Sequence, residues 1–170
     1  MTLDELNRLD ERAFTAALGG VYEHSPWVAE AVAAGSPFAS LDALRRAMAE
    51  VVARSGHDRQ LALIRAHPEL AGKAMVQKSL TSASTSEQSG AGLTQCSPQE
   101  LARLTELNAR YNARFGFPFI LAVKGYDRAG VIAEFARRVD SDPADEFAEC
   151  LRQIDAIAGL RLDALLAPSR

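Results

Sequence analysis

Apolar residues recur at intervals of three and four along most of this chain, and capping residues and glycines cut that pattern into helical segments. Thr2-x-x-Glu5 is a capping box and predicts a short helix to about Leu9. Phe14, Ala17 and Leu18 share an apolar face that ends at Gly19-Gly20. Ser25-Pro26 reads as an N-cap with proline at the first helical position, and Gly35 closes that helix. From Ser40, the positions Leu41, Leu44, Met48, Val51 and Val52 keep a 3.6 period up to Gly56. Asp58 is the expected cap for Arg59 to Ala66, which stops because Pro68 disfavours helical geometry at His67.

The stretch 72–92 is polar and rich in Ser and Thr. Ser97-Pro98-Gln99-Glu100 then combines an N-cap, a proline and a capping-box glutamate, and predicts a helix that carries Leu101, Leu104, Leu107 and Tyr111 inward as far as Gly116. Phe117 to Val123 is apolar without alternation, and no second convincing strand exists to pair with it, so an extended buried connector is expected. Helices resume at about Arg128 to Val139, and Asp142-Pro143 opens a last long one through Leu166. The expectation is an all-α fold, a helical bundle of roughly eight to ten helices forming one domain over residues 1–170.

Composition agrees with that picture. A chain of 170 residues buries roughly 70% of its unfolded surface, enough for a core without staples. Hydrophobic residues at 48% and charged residues at 24% exclude a disordered chain. The net charge of −3 lacks the basic excess of a nucleic-acid binder. The two cysteines, Cys96 and Cys150, read as reduced thiols rather than a disulfide framework. The start Met1-Thr2-Leu3-Asp4-Glu5 is unlike a signal peptide, no apolar run approaches a membrane span, and Pro168-Ser169-Arg170 is not a peroxisomal address, so a cytoplasmic protein is expected.

A few residues depart from the helical pattern. In the last helix Phe147, Leu151, Ile154, Ala158, Arg161 and Leu165 are spaced to share one face, and the arginine among them cannot shed its charge. Arg161 therefore has an internal ion pair, or a stem buried with its head in water, or it meets an anionic or carbonyl-rich ligand. His67 sits at a helix C-terminus, where the dipole favours the imidazolium; it either serves the last carbonyls or is presented from the corner stiffened by Pro68. Ser84-x-x-Glu87 fits a capping box, and the same helix start with Gln88 also suits recognition of a polar ring. The three histidines at 24, 57 and 67 lack paired ligand spacing, so no metal site is expected. No nucleophile elbow, phosphate loop or dinucleotide fingerprint occurs. Arg45-Arg46 and Arg137-Arg138 read as solvated charge pairs.

Taken together, the blocks Tyr22-Glu23-His24-Ser25-Pro26-Trp27, His67-Pro68-Glu69-Leu70-Ala71, Ser84-Thr85-Ser86-Glu87-Gln88 and Ala91-Gly92-Leu93 resemble those of the OHCU decarboxylase family. Asn108-x-x-Tyr111, Arg114-Phe115-Gly116-Phe117-Pro118-Phe119-Ile120, Ala122-Val123-Lys124-Gly125 and Arg161-Leu162 extend the likeness in order over nearly the whole chain. The resemblance implies an all-helical enzyme that converts 2-oxo-4-hydroxy-4-carboxy-5-ureidoimidazoline to (S)-allantoin in urate breakdown, with no cofactor and often as a homodimer. It implies His67, Glu87 and Arg161 as catalytic residues. It also implies substrate contacts from Pro68, Ser84, Thr85, Ser86 and Gln88, and from the segment Phe119, Ile120, Leu121, Ala122 and Val123. The hydroxyisourate hydrolase domain fused to some relatives is not seen, which implies a bacterial-type cytoplasmic enzyme.

Those residue types suit the chemistry. Loss of CO₂ leaves an electron pair that a neighbouring ring carbonyl can delocalise, so the protein's task is to orient the carboxylate, stabilise the enolate and deliver a proton to one face. Two other classes stay open on sequence alone. One is a catalytically silent all-α interaction module, in which Arg161 needs an internal partner. The other is a small-ring hydrolase on the same scaffold, in which Glu87 activates water.

Overall fold

The computed structural model describes residues 1–72, 75 and 79–166. Part of the polar 72–82 stretch, and Pro168-Ser169-Arg170, lie outside the described residues. Among the described residues the chain forms α-helices and one short 3-10 turn, with no strand. The helices are α1 (Leu3–Leu6), α2 (Glu11–Leu18), α3 (Trp27–Ala33), α4 (Leu41–Arg54), α5 (His57–Ala66), α6 (Ser82–Gly90), α7 (Pro98–Phe115), α8 (Arg128–Arg138) and α9 (Pro143–Leu165), with the 3-10 turn at Leu93–Gln95. The all-α expectation holds.

Most starts follow the capping chemistry read from the sequence. Thr2 Oγ1 accepts from the Glu5 N–H at 3.2 Å while Glu5 Oε2 accepts from the Thr2 N–H at 2.8 Å. The Ser97–Glu100 box repeats this arrangement at 3.1 and 3.0 Å ahead of α7, which ends on Gly116 in the left-handed conformation (φ 74). Asp10, Ser40 and Asp127 cap α2, α4 and α8. Three starts differ. Ser25 does not cap α3, because its hydroxyl donates to the Glu23 carbonyl at 2.9 Å inside a turn where His24 adopts φ 47. α5 begins at His57, since Gly56 (φ 85) turns the chain and its carbonyl accepts the first helical bond from Gln60. α6 is capped by Thr81, whose Oγ1 accepts from the Ser84 N–H at 3.2 Å, so Ser84 lies inside the helix. Leu101, expected inward, is exposed.

The chain divides into two compact units. The first comprises Met1–Ala66 with the chain from Asp155 onward. Its buried side chains include Leu6, Phe14, Leu18, Val28, Val32, Leu44, Met48, Leu63, Ile64 and Leu162. Asn7 ties α1 to the loop before α4 through paired 2.9 Å bonds with the Phe38 backbone. The second unit comprises His67–Ile154. Its core is aromatic: Phe119 stacks on Phe135 at 3.9 Å with an 8° interplanar angle, and Tyr111 meets both rings edge-on. Phe117 to Val123 is, as expected, a buried connector outside any helix or strand.

Candidate functional site

In the second unit the chain leaves α5 at His67, which is 7% exposed, and runs through Pro68 and Glu69 to Gly72. This loop is held by the helices that follow it. Gln88 of α6 accepts from the Ala71 N–H at 2.9 Å and donates to the Glu69 carbonyl at 3.3 Å. Asn108 of α7 donates to the Leu70 carbonyl at 3.0 Å, and Asn112 donates to the Glu69 carboxylate at 2.5 Å. The turn needs Ala71 at φ 51, and a Cβ on Gly72 would stand 2.7 Å from the Glu69 Cβ. The backbone that follows His67 is thus held by two side chains, Gln88 and Asn108, while Asn112 holds the Glu69 carboxylate.

The sequence-predicted residues of α6 separate into two faces. Ser84 and Gln88, one turn apart, are buried, with Glu87 partly buried beside them. Thr85 and Ser86 are exposed and border an open groove of about 700 Å³ with Leu80, Ser82, Ser89 and Gly90. The side chains of Ser84 and Gln88 therefore face a different direction from those of Thr85 and Ser86.

Phe119, Ile120, Leu121 and Val123 are buried, and Ala122 is partly so. The connector's backbone is gripped by side chains. Arg138 Nη1 donates to the Ile120 carbonyl at 2.6 Å, and Gln153 Oε1 accepts from the Ala122 N–H at 2.9 Å. Arg138 is 1% exposed and bonds Glu146 Oε1 through Nε (2.9 Å) and Nη2 (2.6 Å), with its guanidinium 4.4 Å from the Phe119 ring centre. Tyr111 donates to the same Glu146 oxygen at 2.5 Å. Burial, then the neighbouring Cys150 and Glu146, pushes the Tyr111 hydroxyl far above its ordinary range, so it stays a donor. Arg138 was expected on a solvated face; of that pair only Arg137 is exposed, in an ion pair with Glu134. Glu146 and Gln153 were not picked out from the sequence, and nothing there linked Arg138 to Tyr111 or to the connector. The signal that would have found the network is the position of Arg138, which shares a helical face with the buried Val131 and Phe135.

Arg161 belongs to the first unit. Its Nη1 lies 2.6 Å from Glu23 Oε2, with the Gly20 and Val21 carbonyls at 3.4 and 3.5 Å. The Glu23 side chain is 1% exposed and that of Arg161 9%. The internal ion pair is thus the alternative realised for Arg161, and Glu23 is the partner that the sequence reading did not name. Nearby, Tyr22 donates to Asp155 at 2.9 Å. Arg45 is also engaged rather than solvated, bonding Asp42, Asp163 and the Gly159 carbonyl. Among the described residues no group of three His, Cys, Asp or Glu side chains is arranged to hold a metal ion, and no helix is long and apolar enough to cross a membrane.

An all-α fold with a buried histidine, a serine–glutamine helix face and a gripped apolar connector defines a class of helical protein with a polar site, and comparison with known proteins identifies the class. The model of the OHCU decarboxylase family matches residues 7–163, and the chain belongs to that family. It is 42% identical to the 2-oxo-4-hydroxy-4-carboxy-5-ureidoimidazoline decarboxylase of Haloferax volcanii, covering 95% of this chain and 94% of the relative. Against the protein of that name from Mus musculus the identity is 39%, over 98% of this chain and 93% of the other. It is also 41% identical to the uric acid degradation bifunctional protein PucL of Bacillus subtilis, of which it spans 32%. Among solved structures, an (S)-allantoin synthase matches with a TM-score of 0.80 and 31% identity over 98% of this chain, which spans 54% of that one. An OHCU decarboxylase crystallised in the presence of (S)-allantoin shares the fold, with a TM-score of 0.72 over 89% of this chain and 99% of the other.

Proposed function

We propose that this chain, acting as one domain, decarboxylates 2-oxo-4-hydroxy-4-carboxy-5-ureidoimidazoline to (S)-allantoin. The observation that carries the reading is the near-full-length likeness to proteins named for that reaction. The substrate loses its C4 carboxylate as CO₂, and the bonding pair forms a C4–C5 double bond as the ring C=N at C5 takes up electrons, leaving an enol that carries the C4 hydroxyl. A proton is then delivered to one face of C5, the ureido-bearing carbon, while the C4 hydroxyl gives up its proton and becomes the carbonyl of (S)-allantoin. The reaction so drawn calls on no cofactor.

His67 donates or relays the proton, and Glu87 holds the imidazole. Arg161 faces the ureido or carboxylate oxygens. Pro68 walls the site, Ser84, Thr85, Ser86 and Gln88 contribute polar contacts, and the 119–123 backbone orients the ring. What supports these roles is the match of each residue to the family's blocks, together with the burial of His67, Ser84 and Gln88. We also propose a cytoplasmic homodimer, to be checked by light scattering on the purified chain. An interaction module without activity is the second reading, favoured by one observation: Arg161 already has Glu23 as an internal partner. A circular-dichroism assay on substrate generated by urate oxidation separates the two. The decarboxylase gives rapid (S)-allantoin, the silent module only slow racemic product.

A further inference from the structure

Side chains grip the connector 119–123 along one edge, at Ile120 and Ala122. In an extended chain the N–H and C=O of alternate residues point to one edge and those of the residue between them to the other. The Ile120 carbonyl accepts from Arg138, and the Ala122 N–H donates to Gln153. Arg138 of α8 and Gln153 of α9 thus hold the same edge. Leu121 lies between the two gripped residues and is 4% exposed, yet its N–H and C=O make no hydrogen bond to any described residue. A buried backbone donor and acceptor side by side, neither bonded to a described residue, suit a partner that offers the complementary pair. A ring amide, with N–H and C=O adjacent, is such a group.

Resting on the decarboxylase reading, we propose that Arg138 and Gln153 are positioning residues for the reaction: they pin the Ile120–Ala122 edge so that Leu121 presents its N–H and C=O to an amide edge of the substrate ring. Glu146 supports Arg138 by taking its other two donors, and the Phe119 ring lies against the guanidinium. Gln153 is fixed in turn, its Nε2 donating to Glu149 at 2.7 Å. An orienting contact of this kind binds ground state and transition state alike, so its loss raises KM more than it lowers kcat.

Gln153 is the residue to test, because removing Arg138 strands the buried Glu146 charge and endangers the fold. Gln153→Met deletes the acceptor for the Ala122 N–H. The expected result is a KM about tenfold higher with kcat within about threefold of the unaltered protein. The exchange E149Q/Q153E keeps an acceptor for Ala122 and reverses the donor between the two side chains, and its KM should return to within about twofold of the unaltered value. If Gln153→Met does not fold, Gln153→Ala is read in its place, with the same expectation. An unchanged KM beside a lowered Tm overturns the inference, as does an exchange variant no better than Gln153→Met. An unaltered protein that makes no (S)-allantoin overturns the decarboxylase reading itself, and this inference with it.

Discussion

Two arginines, one in each unit, meet a buried glutamate in opposite styles. Arg138 is enclosed: both its Nε and Nη2 engage Glu146, its Nη1 holds a backbone carbonyl, and an aromatic ring covers its face. Arg161 meets Glu23 through Nη1, with two carbonyls at the edge of hydrogen-bond reach, and keeps part of its side chain exposed. The first arrangement leaves the cation nothing further to do than hold the Ile120 backbone. The second pairs its guanidinium with a carboxylate while leaving part of the side chain at the surface. A buried ion pair is therefore not one kind of object. The two pairs differ in how far the arginine side chain is enclosed, 1% exposed for Arg138 and 9% for Arg161.

The largest expected effect breaks the enclosed pair. Arg138→Met leaves Glu146 charged and buried, and chemical denaturation should show a loss of about 3–5 kcal/mol. Adding Glu146→Leu should recover part of that, because the stranded charge goes with it. Arg161→Met should cost less in stability, about 1–3 kcal/mol, but should reduce turnover about a hundredfold or more. A drop in stability equal to that of Arg138→Met, with turnover intact, would erase the contrast between the two pairs.

The smallest effects concern two carboxylates of opposite sign. Burial raises Asp155 above its ordinary value of 3.8, with the Tyr22 hydroxyl pulling part of the way back. The folded state prefers the neutral acid, so its contribution is fully present below that ordinary value and is lost as pH rises through the folded value. Glu100 is held below its ordinary 4.5, first by the Ser97 N–H and then by Arg128. Its contribution is present above 4.5 and is lost as pH falls through the folded value. Tm measured against pH should accordingly lose its decline on the alkaline side of Asp155's titration in Asp155→Asn, and lose part of its acid-side fall in Glu100→Gln.

Much of this could be read before any coordinates. The Thr2–Glu5 and Ser97–Glu100 boxes announced α1 and α7, because the capping bonds of each lie within one turn and need no distant partner. Arg161 stood out because it alone is charged on an apolar stripe, though its partner Glu23 is 138 positions away and no local rule links them. Arg138 was hidden by its neighbour: two adjacent arginines look like a charge pair, yet 100° of helical rotation puts one in water and the other in the core. Ser84 was mistaken for a cap because Thr81, three residues earlier, offers the same hydroxyl, and only the backbone turn at Thr81 decides between them. Gln88 was assigned to a ligand on its chemistry, whereas its bonds to Glu69 and Ala71 depend on a loop conformation that sequence does not encode locally.

The most direct trial of the account is the turnover of His67→Asn on freshly generated 2-oxo-4-hydroxy-4-carboxy-5-ureidoimidazoline, set beside a Tm that confirms the fold. The account predicts a kcat lower by about a hundredfold or more at nearly unchanged Tm. Near-native turnover by that variant would contradict it.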